Sequence, residues 1–558
     1  MRARTPHRSR FPSRPTDGPW SSEASEPPAS RESIPWRTIR RRSPCRESPL
    51  ASGSGRSDRG GRPAMKIHPL LSERTAGVLL HPTSLPSVHG AFGIGDLGPT
   101  ARSFIEWMRE AGLTRWQMLP VGPVGAGDSP YSALSSFAIE PMLASVADLV
   151  EDGLLPRSAM RMPADARTTD DRGRASWRNV RAWKIPLLER AFETFSRTRG
   201  AGGPNGGRHT GFRERSAPWL DHWCDFAVAR ARRRRGANAI QLAPGYHAFL
   251  QFILDRQWSA LRRHALANGV RLIGDLPIFC GADSADVTGR PDLFRLDRDG
   301  RPTVLTGCPP DAFTRDGQLW GHPHYRWSAH RRERFAWWRS RVATTLDRFD
   351  LVRIDHFIGF ARAYEIPGDA RNARKGRWGR TPGRELLSHL QEDLGTPPFI
   401  AEDLGDVTSA VHRLRDDFAL PGMRILQWAF FDPKGRSNDL PHNHPRHSVV
   451  YPGTHDNDTV AGWFRSLPGD VRRRFRAYSG AESAANPSDA MVRLAFTSPA
   501  NTAVVQMQDI LGLGRSSRMN VPGKPRGNWT WRLRRSELPA GTAGRMSDLV
   551  LASGRSSG

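Results

Sequence analysis

Short apolar segments recur along the chain from residue 76 onward, and longer amphipathic stretches separate them. Most of these segments have the continuously apolar character of strands that are buried on both faces. The eight segments are AGVLL (76–80), RWQML (115–119), RLIG (271–274), DLVRI (350–354), PFIA (398–401), RILQWAF (424–430), SVVY (448–451) and AVVQM (503–507). Eight alternations of strand and helix favour an α/β fold, a (β/α)8 TIM barrel, over a sandwich or a helix bundle.

The interval between the second and third predicted strands, residues 119–271, is too long for one loop and one helix. We therefore expect an inserted, largely helical subdomain at about residues 137–265. Its sequence includes RGAGGPNGGRHTGFRERS (199–216), in which the glycines and arginines predict a flexible loop. The barrel and its insertions account for residues 65–558.

Residues 1–64 differ in composition from the rest of the chain. They contain 14 Arg, 12 Ser, 10 Pro and 5 Gly, with almost no apolar periodicity. Such a segment does not bury enough apolar surface to offset its ordering entropy, so we expect a disordered extension. Because Met65 opens the first patterned segment, we expect translation to begin there. N-terminal sequencing of the native protein checks this expectation.

The net charge of +27 on 558 residues, taken alone, suggests a nucleic-acid partner. However, residues 1–64 contribute +8 of it, with 14 arginines against six acidic residues, and only five of the 83 basic residues are lysines. The densest basic run, RARRRR (230–235), ends an amphipathic helix and has no interleaved aromatic residues for base stacking. The sequence therefore predicts no nucleic-acid partner.

Two further classes of protein are disfavoured. No apolar run approaches the roughly 18 residues that span a bilayer, so we expect no membrane partner. The four cysteines lack CxxC spacing, which argues against a disulfide framework and favours a reducing cytoplasm.

Four of the predicted strands end in or near an acidic residue: Asp275, Asp355, Glu402 and Asp456. In a barrel the carboxyl ends of the strands converge at one face, where active sites are built. Four converging carboxylates repel one another, which is costly unless chemistry requires them. We therefore favour a shared site over four unrelated helix caps.

Paired carboxyl groups suit the chemistry of glycosidic bonds, in which one protonates the leaving oxygen and the other attacks the anomeric carbon. Arg353 shares a strand face with Asp355 and is placed to hold it ionised as the nucleophile. Glu402 is the candidate acid, kept protonated by the nearby Asp355. Asp456 and His455 are candidates for binding sugar hydroxyls.

Cofactor and metal sites are disfavoured. GIGDLG (93–98) fits GxGxxG, but twelve residues separate it from Leu80, and no acidic residue ends the next strand to bind a ribose. His455–Asp458 are four consecutive residues, which do not all face one ion. We expect no cofactor and no metal.

Many motifs in order resemble one family. They are GVLLHPTSLPS (77–87), GIGDLG (93–98), WQMLPVGP (116–123), DSPYSALSSFAIEP (128–141), GDLPIF (274–279), CPPDAF (308–313), GQLWGHPHYRW (317–327), VRIDHFIGF (352–360), AEDLG (401–405), GTHDNDT (453–459) and RMNVPGKPRGNWTWR (518–532). Together they cover residues 76 to about 535 and resemble the 4-α-glucanotransferases of glycoside hydrolase family 77, in the α-amylase clan.

The resemblance implies a barrel with inserted subdomains and no separate C-terminal β-domain, acting on α-1,4-glucans by transfer. It implies that Asp355 is the nucleophile, Glu402 the acid/base and Asp456 the transition-state stabiliser. It further implies that the donor sugar is contacted by Arg353, His455, Asp275 and Tyr131, and that Trp320 stacks on the acceptor. The alternatives are an α-glucan hydrolase with the same acids, and a glucan- or nucleic-acid-binding protein whose acidic residues are idle.

Overall fold

The computed structural model describes residues 66–86, 92–164, 173–199, 204–310, 314–480, 486–524, 526–534, 538 and 541–556. The predicted N-terminal extension, residues 1–64, lies outside this set. Residues 311–313 of the CPPDAF motif lie outside it as well. All described residues belong to the unit that runs from Met65 to Gly558.

Eight parallel strands close into a barrel in the order β1-β12-β11-β10-β9-β6-β3-β2. These strands are β1 (Thr75–Leu79), β2 (Arg115–Gln117), β3 (Arg271–Pro277), β6 (Leu351–Asp355), β9 (Phe399–Ala401), β10 (Gly422–Ile425), β11 (Ser448–Tyr451) and β12 (Thr502–Gln506). Gly77 of β1 pairs with Arg115 on one side and with Val504 on the other, which closes the ring. The predicted TIM barrel is confirmed.

Helices surround the barrel. Their bounds are Pro69–Ser72, Pro99–Glu110, Val146–Glu151, Trp177–Arg199, Pro204–Arg232, Pro244–Ala267, Ala285–Gly289, Trp327–Arg332, Ala336–Arg348, Gly383–Leu394, Ser409–Asp417, Val460–Ser466, Gly469–Ser479, Pro487–Thr497, Met507–Ile510 and Thr542–Ala552. Within the described ranges, no helix is long and apolar enough to cross a membrane.

The predicted strand RILQWAF (424–430) is wrong in its extent. The strand β10 ends at Ile425, and a 3-10 turn follows at Leu426–Trp428. Two polar contacts end the strand: the Ile425 N–H donates to Asp439 at 2.9 Å, and the Gln427 N–H donates to the Pro452 carbonyl at 3.1 Å. Trp428 is consequently 37% exposed, although its apolar sequence context predicts burial.

The flexible loop expected near residues 199–216 is also wrong. A helix begins at Pro204 and continues to Arg232, although three of its first eight residues are glycines. Buried side chains recur along it at helical spacing, at His209, Phe212, Ser216 and Leu220. Packing of this face overrides the low helix propensity of glycine.

A second, antiparallel sheet in the order β5-β4-β7-β8 was not predicted. It consists of β4 (Val304–Cys308), β5 (Gln318–Pro323), β7 (Arg362–Pro367) and β8 (Arg377–Arg380). Between β4 and β5, Gly307 pairs with Leu319 and Leu305 with Pro323. Three residues, Trp320–His322, therefore oppose the single residue between Leu305 and Gly307. Such a bulge turns side chains out of the ladder, and Trp320 is one of them.

Arg555 forms hydrogen bonds at the start of both strands that close the barrel, β1 and β12. It is fully buried, and its guanidinium donates to the carbonyls of Thr75 and Asn501, both at 2.9 Å. Thr75 opens β1, and Asn501 directly precedes β12. Further bonds go to Ser498 at 2.9 Å and Ala500 at 2.8 Å. One side chain near the C-terminus thus satisfies carbonyls on both strands that close the ring.

Replacing this side chain should destabilise the fold. We expect Arg555→Met to lower the free energy of unfolding by at least about 3 kcal/mol, because several buried carbonyls lose their donor. Urea unfolding followed by circular dichroism measures the change. The exposed Arg413 provides the control, since Arg413→Met should change the value by less than about 0.5 kcal/mol. Equal losses of stability in the two variants would contradict this role of Arg555.

Candidate active site

The sequence-predicted acidic residues meet at the carboxyl ends of the barrel strands. Asp275 lies in β3 and Asp355 ends β6. Glu402 directly follows β9, and Asp456 lies in the segment after β11. Because all eight strands are parallel, these ends open at one face of the barrel.

Arg353 lies between two of these carboxylates. Its Nη1 bonds to both oxygens of Asp275, at 2.8 and 2.7 Å, and its Nη2 lies 2.9 Å from Asp355 Oδ1. The side chain of Arg353 is 5% exposed and that of Asp275 is 0% exposed. The barrel register, which pairs Asp275 with Arg353 across β3 and β6, sets this contact.

Burial and charge act in opposite directions in this cluster. Burial lowers the pKa of Arg353, but the neighbouring acidic groups, Asp275 and Asp355 foremost, together raise it well above its ordinary value. Burial raises the pKa of the Asp275 carboxyl, and Arg353 opposes part of that rise. The guanidinium therefore stays charged between Asp275 and Asp355, and it favours the ionised form of Asp275.

Glu402 differs from the other acidic residues. Burial raises the pKa of its carboxyl to about 8; Arg353 opposes the rise, and Asp355 adds to it. Its Oε2 accepts the His356 N–H at 2.7 Å, and its Oε1 accepts the Leu404 N–H at 3.2 Å. His356 follows Asp355 and has a left-handed backbone (φ 52°). The bond to its N–H holds Glu402 next to the end of β6, where Asp355 lies.

Tyr131 joins β3 to the segment after β11. Its hydroxyl donates to Asp275 Oδ2 at 2.7 Å and lies 3.5 Å from His455 Nδ1. The Tyr131 and His455 rings stack with centroids 5.0 Å apart. Trp529 lies against both, at 5.7 and 5.9 Å. These rings form one wall of the site.

Asp456 is the most accessible of the acidic residues, with 47% of its side chain exposed. Its Oδ1 accepts the Asn520 side-chain amide at 2.6 Å and lies 3.4 Å from His455 Nε2. Asn520 and Trp529 were not singled out from the sequence. The only signal for them was the motif RMNVPGKPRGNWTWR, because they follow Asp456 in the chain by more than 60 residues.

Trp320 reaches the site from the second sheet. Its ring lies edge-on to His356 with centroids 4.9 Å apart, and 6.3 Å from Phe279. The structure thus joins all eight residues predicted for the site: Tyr131, Asp275, Trp320, Arg353, Asp355, Glu402, His455 and Asp456. Seven are linked by direct contacts or through His356, and Asp456 joins them through His455.

Asp403 and the glycine-rich segment 93–98 occupy structural positions near the site. Asp403 accepts the Met423 N–H at 2.8 Å and pairs with Arg415. The glycine-rich segment 93–98 is filled by protein atoms: a Cβ on Gly95 would lie 2.2 Å from the Pro82 carbonyl oxygen. In the part of the chain that the structure describes, no group of three or more His, Cys, Asp or Glu side chains is placed to hold a metal ion.

A closed parallel barrel with neighbouring carboxyl groups at its carboxyl-terminal face is an arrangement typical of (β/α)8-barrel enzymes that act on glycosidic bonds. Within that class, the chain belongs to the 4-alpha-glucanotransferase family, glycoside hydrolase family 77, whose model matches residues 80–537. The resemblance stated from the sequence motifs is confirmed.

Curated relatives match over nearly their whole length. The 4-alpha-glucanotransferase of Thermus thermophilus is 41% identical over 510 residues, covering 86% of this chain and 99% of the relative. That of Aquifex aeolicus is 39% identical, covering 83% and 96%. Among solved structures, the amylomaltase from Streptococcus agalactiae in complex with acarbose is similar with a TM-score of 0.79. It is 32% identical and covers 87% of this chain and all of that one.

Removing the central cation should destabilise the fold in a pH-dependent way. We expect Arg353→Met to lower the free energy of unfolding by about 3–5 kcal/mol at pH 8, because the buried Asp275 then has no cationic partner and keeps only the Tyr131 hydroxyl. The loss should shrink toward pH 5. A carboxyl whose folded pKa is raised binds more protons in the folded than in the unfolded state, so folding strengthens as pH falls.

Urea unfolding of wild type and variant at the two pH values measures this effect. Adding Asp275→Asn to Arg353→Met should recover part of the loss at pH 8, since no charge is then buried at residue 275. A loss that is the same at both pH values and is not relieved by Asp275→Asn would contradict the account.

Proposed function

We propose that this chain is a 4-α-glucanotransferase that moves a segment of an α-1,4-glucan to the 4-hydroxyl of another glucan or of glucose. Family membership supports the activity. The observation that carries the mechanism is the contrast between two neighbouring carboxyl groups. Arg353 Nη2 pairs with Asp355 Oδ1 at 2.9 Å, while burial gives Glu402 a pKa of about 8. One nucleophile and one acid are the pair that a retaining double displacement needs.

In the first step, Glu402 donates its proton to the glycosidic oxygen as the bond from that oxygen to the anomeric carbon breaks. The Asp355 carboxylate attacks the same carbon and forms a β-linked ester. The leaving glucan departs with the proton. The Glu402 carboxylate remains, held by the N–H groups of His356 and Leu404.

In the second step, the 4-hydroxyl of the acceptor gives its proton to Glu402 and attacks the anomeric carbon. The ester bond to Asp355 breaks, the α configuration returns, and both carboxyl groups regain their starting states. Two inversions at one carbon give net retention.

The remaining site residues are proposed to bind the donor sugar. Asp456 and His455 offer hydrogen bonds to hydroxyls, and Asp456 stabilises the charge that develops at the anomeric carbon. Tyr131, Asp275 and Arg353 hold this arrangement together through their mutual bonds. Trp320, next to His356, is proposed to stack on the acceptor, which helps a glucan compete with water.

The proposed partner is a neutral α-1,4-glucan, which requires no positively charged surface. We propose no nucleic-acid partner and a cytoplasmic location, as the sequence indicates. The second candidate activity is hydrolysis by the same two carboxyl groups, which differs only in the acceptor.

The products from maltotriose separate the two activities. We expect glucose together with oligomers longer than maltotriose, because each glycosyl ester passes to another sugar. Chromatography of the products over time measures this. The Asp355→Asn variant should lose more than about 1000-fold of the rate. Products no longer than maltose would favour hydrolysis, and a fully active Asp355→Asn variant would contradict the mechanism.

The raised pKa of Glu402 predicts an alkaline limit to activity. The acid must be protonated in the free enzyme, so kcat/KM should fall about tenfold per pH unit above roughly pH 8. Initial rates between pH 5 and 10 measure this limb, with circular dichroism confirming that the protein stays folded. A rate that remains flat to pH 10 would show that no group titrating near pH 8 is required.

A further inference from the structure

Trp320 lies on a strand that the second sheet holds along one side only. Among the described strands, β5 is at the edge of this sheet and has β4 as its single neighbour. Trp320 lies in the bulge, outside the regular pairing of the two strands, and the next residue, Gly321, has a left-handed backbone (φ 77°). The sheet therefore does not fix the Trp320 ring by itself, and contacts from other elements contribute to its position.

The Phe279 ring supplies one such contact. Its centroid lies 6.3 Å from that of Trp320 and 6.4 Å from that of His356. It also stacks on Tyr325, with centroids 6.1 Å apart and ring planes inclined by 22°. Phe279 and Tyr325 are both buried, so neither ring has free space in which to move. The position of Tyr325 therefore influences two rings at the active site through Phe279.

The Tyr325 hydroxyl holds the backbone next to Phe279. It donates to the carbonyl of Ile278, the residue that directly follows β3, at 2.7 Å. It accepts from Arg341 Nη1 at 3.4 Å, and Cys280 Sγ lies 3.4 Å from it as well. A phenol hydroxyl can donate one hydrogen bond and accept others, so all three contacts are compatible. The hydroxyl thus contacts the residues on both sides of Phe279 in the chain.

The end of β3 has a second support, which does not involve Tyr325. Arg341, on the helix Ala336–Arg348, is buried, and its Nη2 donates to the Pro277 carbonyl at 2.5 Å. Its guanidinium carbon lies 5.0 Å from the ring centroid of Trp338, a distance typical of a cation–π contact. Pro277 ends β3 and pairs with Asp355 across the barrel wall. The barrel strands at the carboxyl groups are therefore held independently of the Tyr325 hydroxyl.

Loss of the hydroxyl should consequently have a local effect. The Ile278 carbonyl would keep only the long bond from Arg341 Nη1, at 3.4 Å. A buried carbonyl without a good donor is costly, so the segment shifts to regain one. The shift displaces Phe279 and, through it, Trp320. The carboxyl groups at the ends of β6 and β9 stay in place, because strand pairing holds them.

We propose that Tyr325 is a positioning residue for Trp320, and that it thereby sets the balance between transfer and hydrolysis. This inference rests on the proposed function, in which Trp320 stacks on the acceptor sugar. Water needs no aromatic surface, whereas a glucan acceptor gains binding free energy from one. A displaced Trp320 therefore weakens the acceptor in its competition with water for the glycosyl ester.

The ratio of transfer to hydrolysis with maltotriose tests this role. Transfer makes longer oligomers and conserves the number of reducing ends, whereas hydrolysis adds one reducing end per event. Chromatography and a reducing-end assay therefore give the two rates separately. Tyr325→Phe should lower the ratio about threefold or more, the effect of a partly lost stacking contact. General damage to the fold would lower both rates by one factor, so an unchanged ratio would overturn the proposal.

Tyr364→Phe is the matched control. Tyr364 lies on β7 of the same sheet and is buried, and its hydroxyl donates to the Ala373 carbonyl at 3.2 Å. The control variant thus loses a buried hydrogen bond of the same kind, in the connection between β7 and β8, and should keep the wild-type ratio. An equal fall of the ratio in both variants would overturn the proposal, since any loosening of the sheet would then suffice.

A double-mutant cycle tests whether the effect passes through Trp320. Once Trp320→Ala has removed the indole, adding Tyr325→Phe should not lower the ratio further, because residues that act through one contact are not additive. If Tyr325→Phe lowers the ratio by the same factor with and without the indole, Tyr325 acts by another route and the proposal is overturned.

Crystal structures of the wild type and of Tyr325→Phe distinguish failure of this inference from failure of the proposed function. The rings of Trp320 and His356, whose centroids lie 4.9 Å apart, should change their separation in the variant, while the contact of Arg353 with Asp355 is retained. If the wild type makes no transfer products, the proposed function fails, yet a displaced Trp320 still supports the positioning role. An unmoved Trp320 would overturn the inference even where transfer is observed.

Discussion

The contact of Arg353 with two carboxylates is the interaction on which the site depends. A single buried guanidinium binds both Asp275 and Asp355, and so offsets the charge of two carboxylates near Glu402. The guanidinium pairs directly with Asp355, while burial raises the pKa of Glu402 to about 8. The register of β3 against β6 sets the contact. A slip of one residue would turn these side chains to the other face of the barrel wall.

The rest of the fold serves to bring distant segments to this contact. Closure of the barrel, tied at its seam by Arg555, directs the carboxyl ends of β3, β6, β9 and β11 to one face. The bulge in β5 brings Trp320 to the ring of His356. Gln427 fixes the turn after β10 to the segment of Asp456. Rigid strands thus place the carboxyl groups, and the connecting segments supply the aromatic side chains.

Much of this arrangement was readable from the sequence, because buried parallel strands are continuous apolar runs and the acidic residues follow them directly. The features that the sequence did not predict correctly have physical causes. The run 424–430 stays apolar beyond the point where contacts with Asp439 and Pro452 end β10. The second sheet has short strands that contain glycine, proline and charged residues, and whose burial depends on tertiary packing. Asn520 and Trp529 reach the site through the fold, without a local signal in the chain.

Identification of the residue that carries the glycosyl group tests the central claim most directly. A 5-fluoro-α-glucosyl fluoride forms a glycosyl ester on a retaining nucleophile and slows its breakdown, so that the ester accumulates. Mass spectrometry of the intact protein and its peptides locates the added mass. The account predicts one glucosyl group per chain, on Asp355, and none in the Asp355→Asn variant. A label on a different residue, or turnover of the reagent by Asp355→Asn at the wild-type rate, would contradict it.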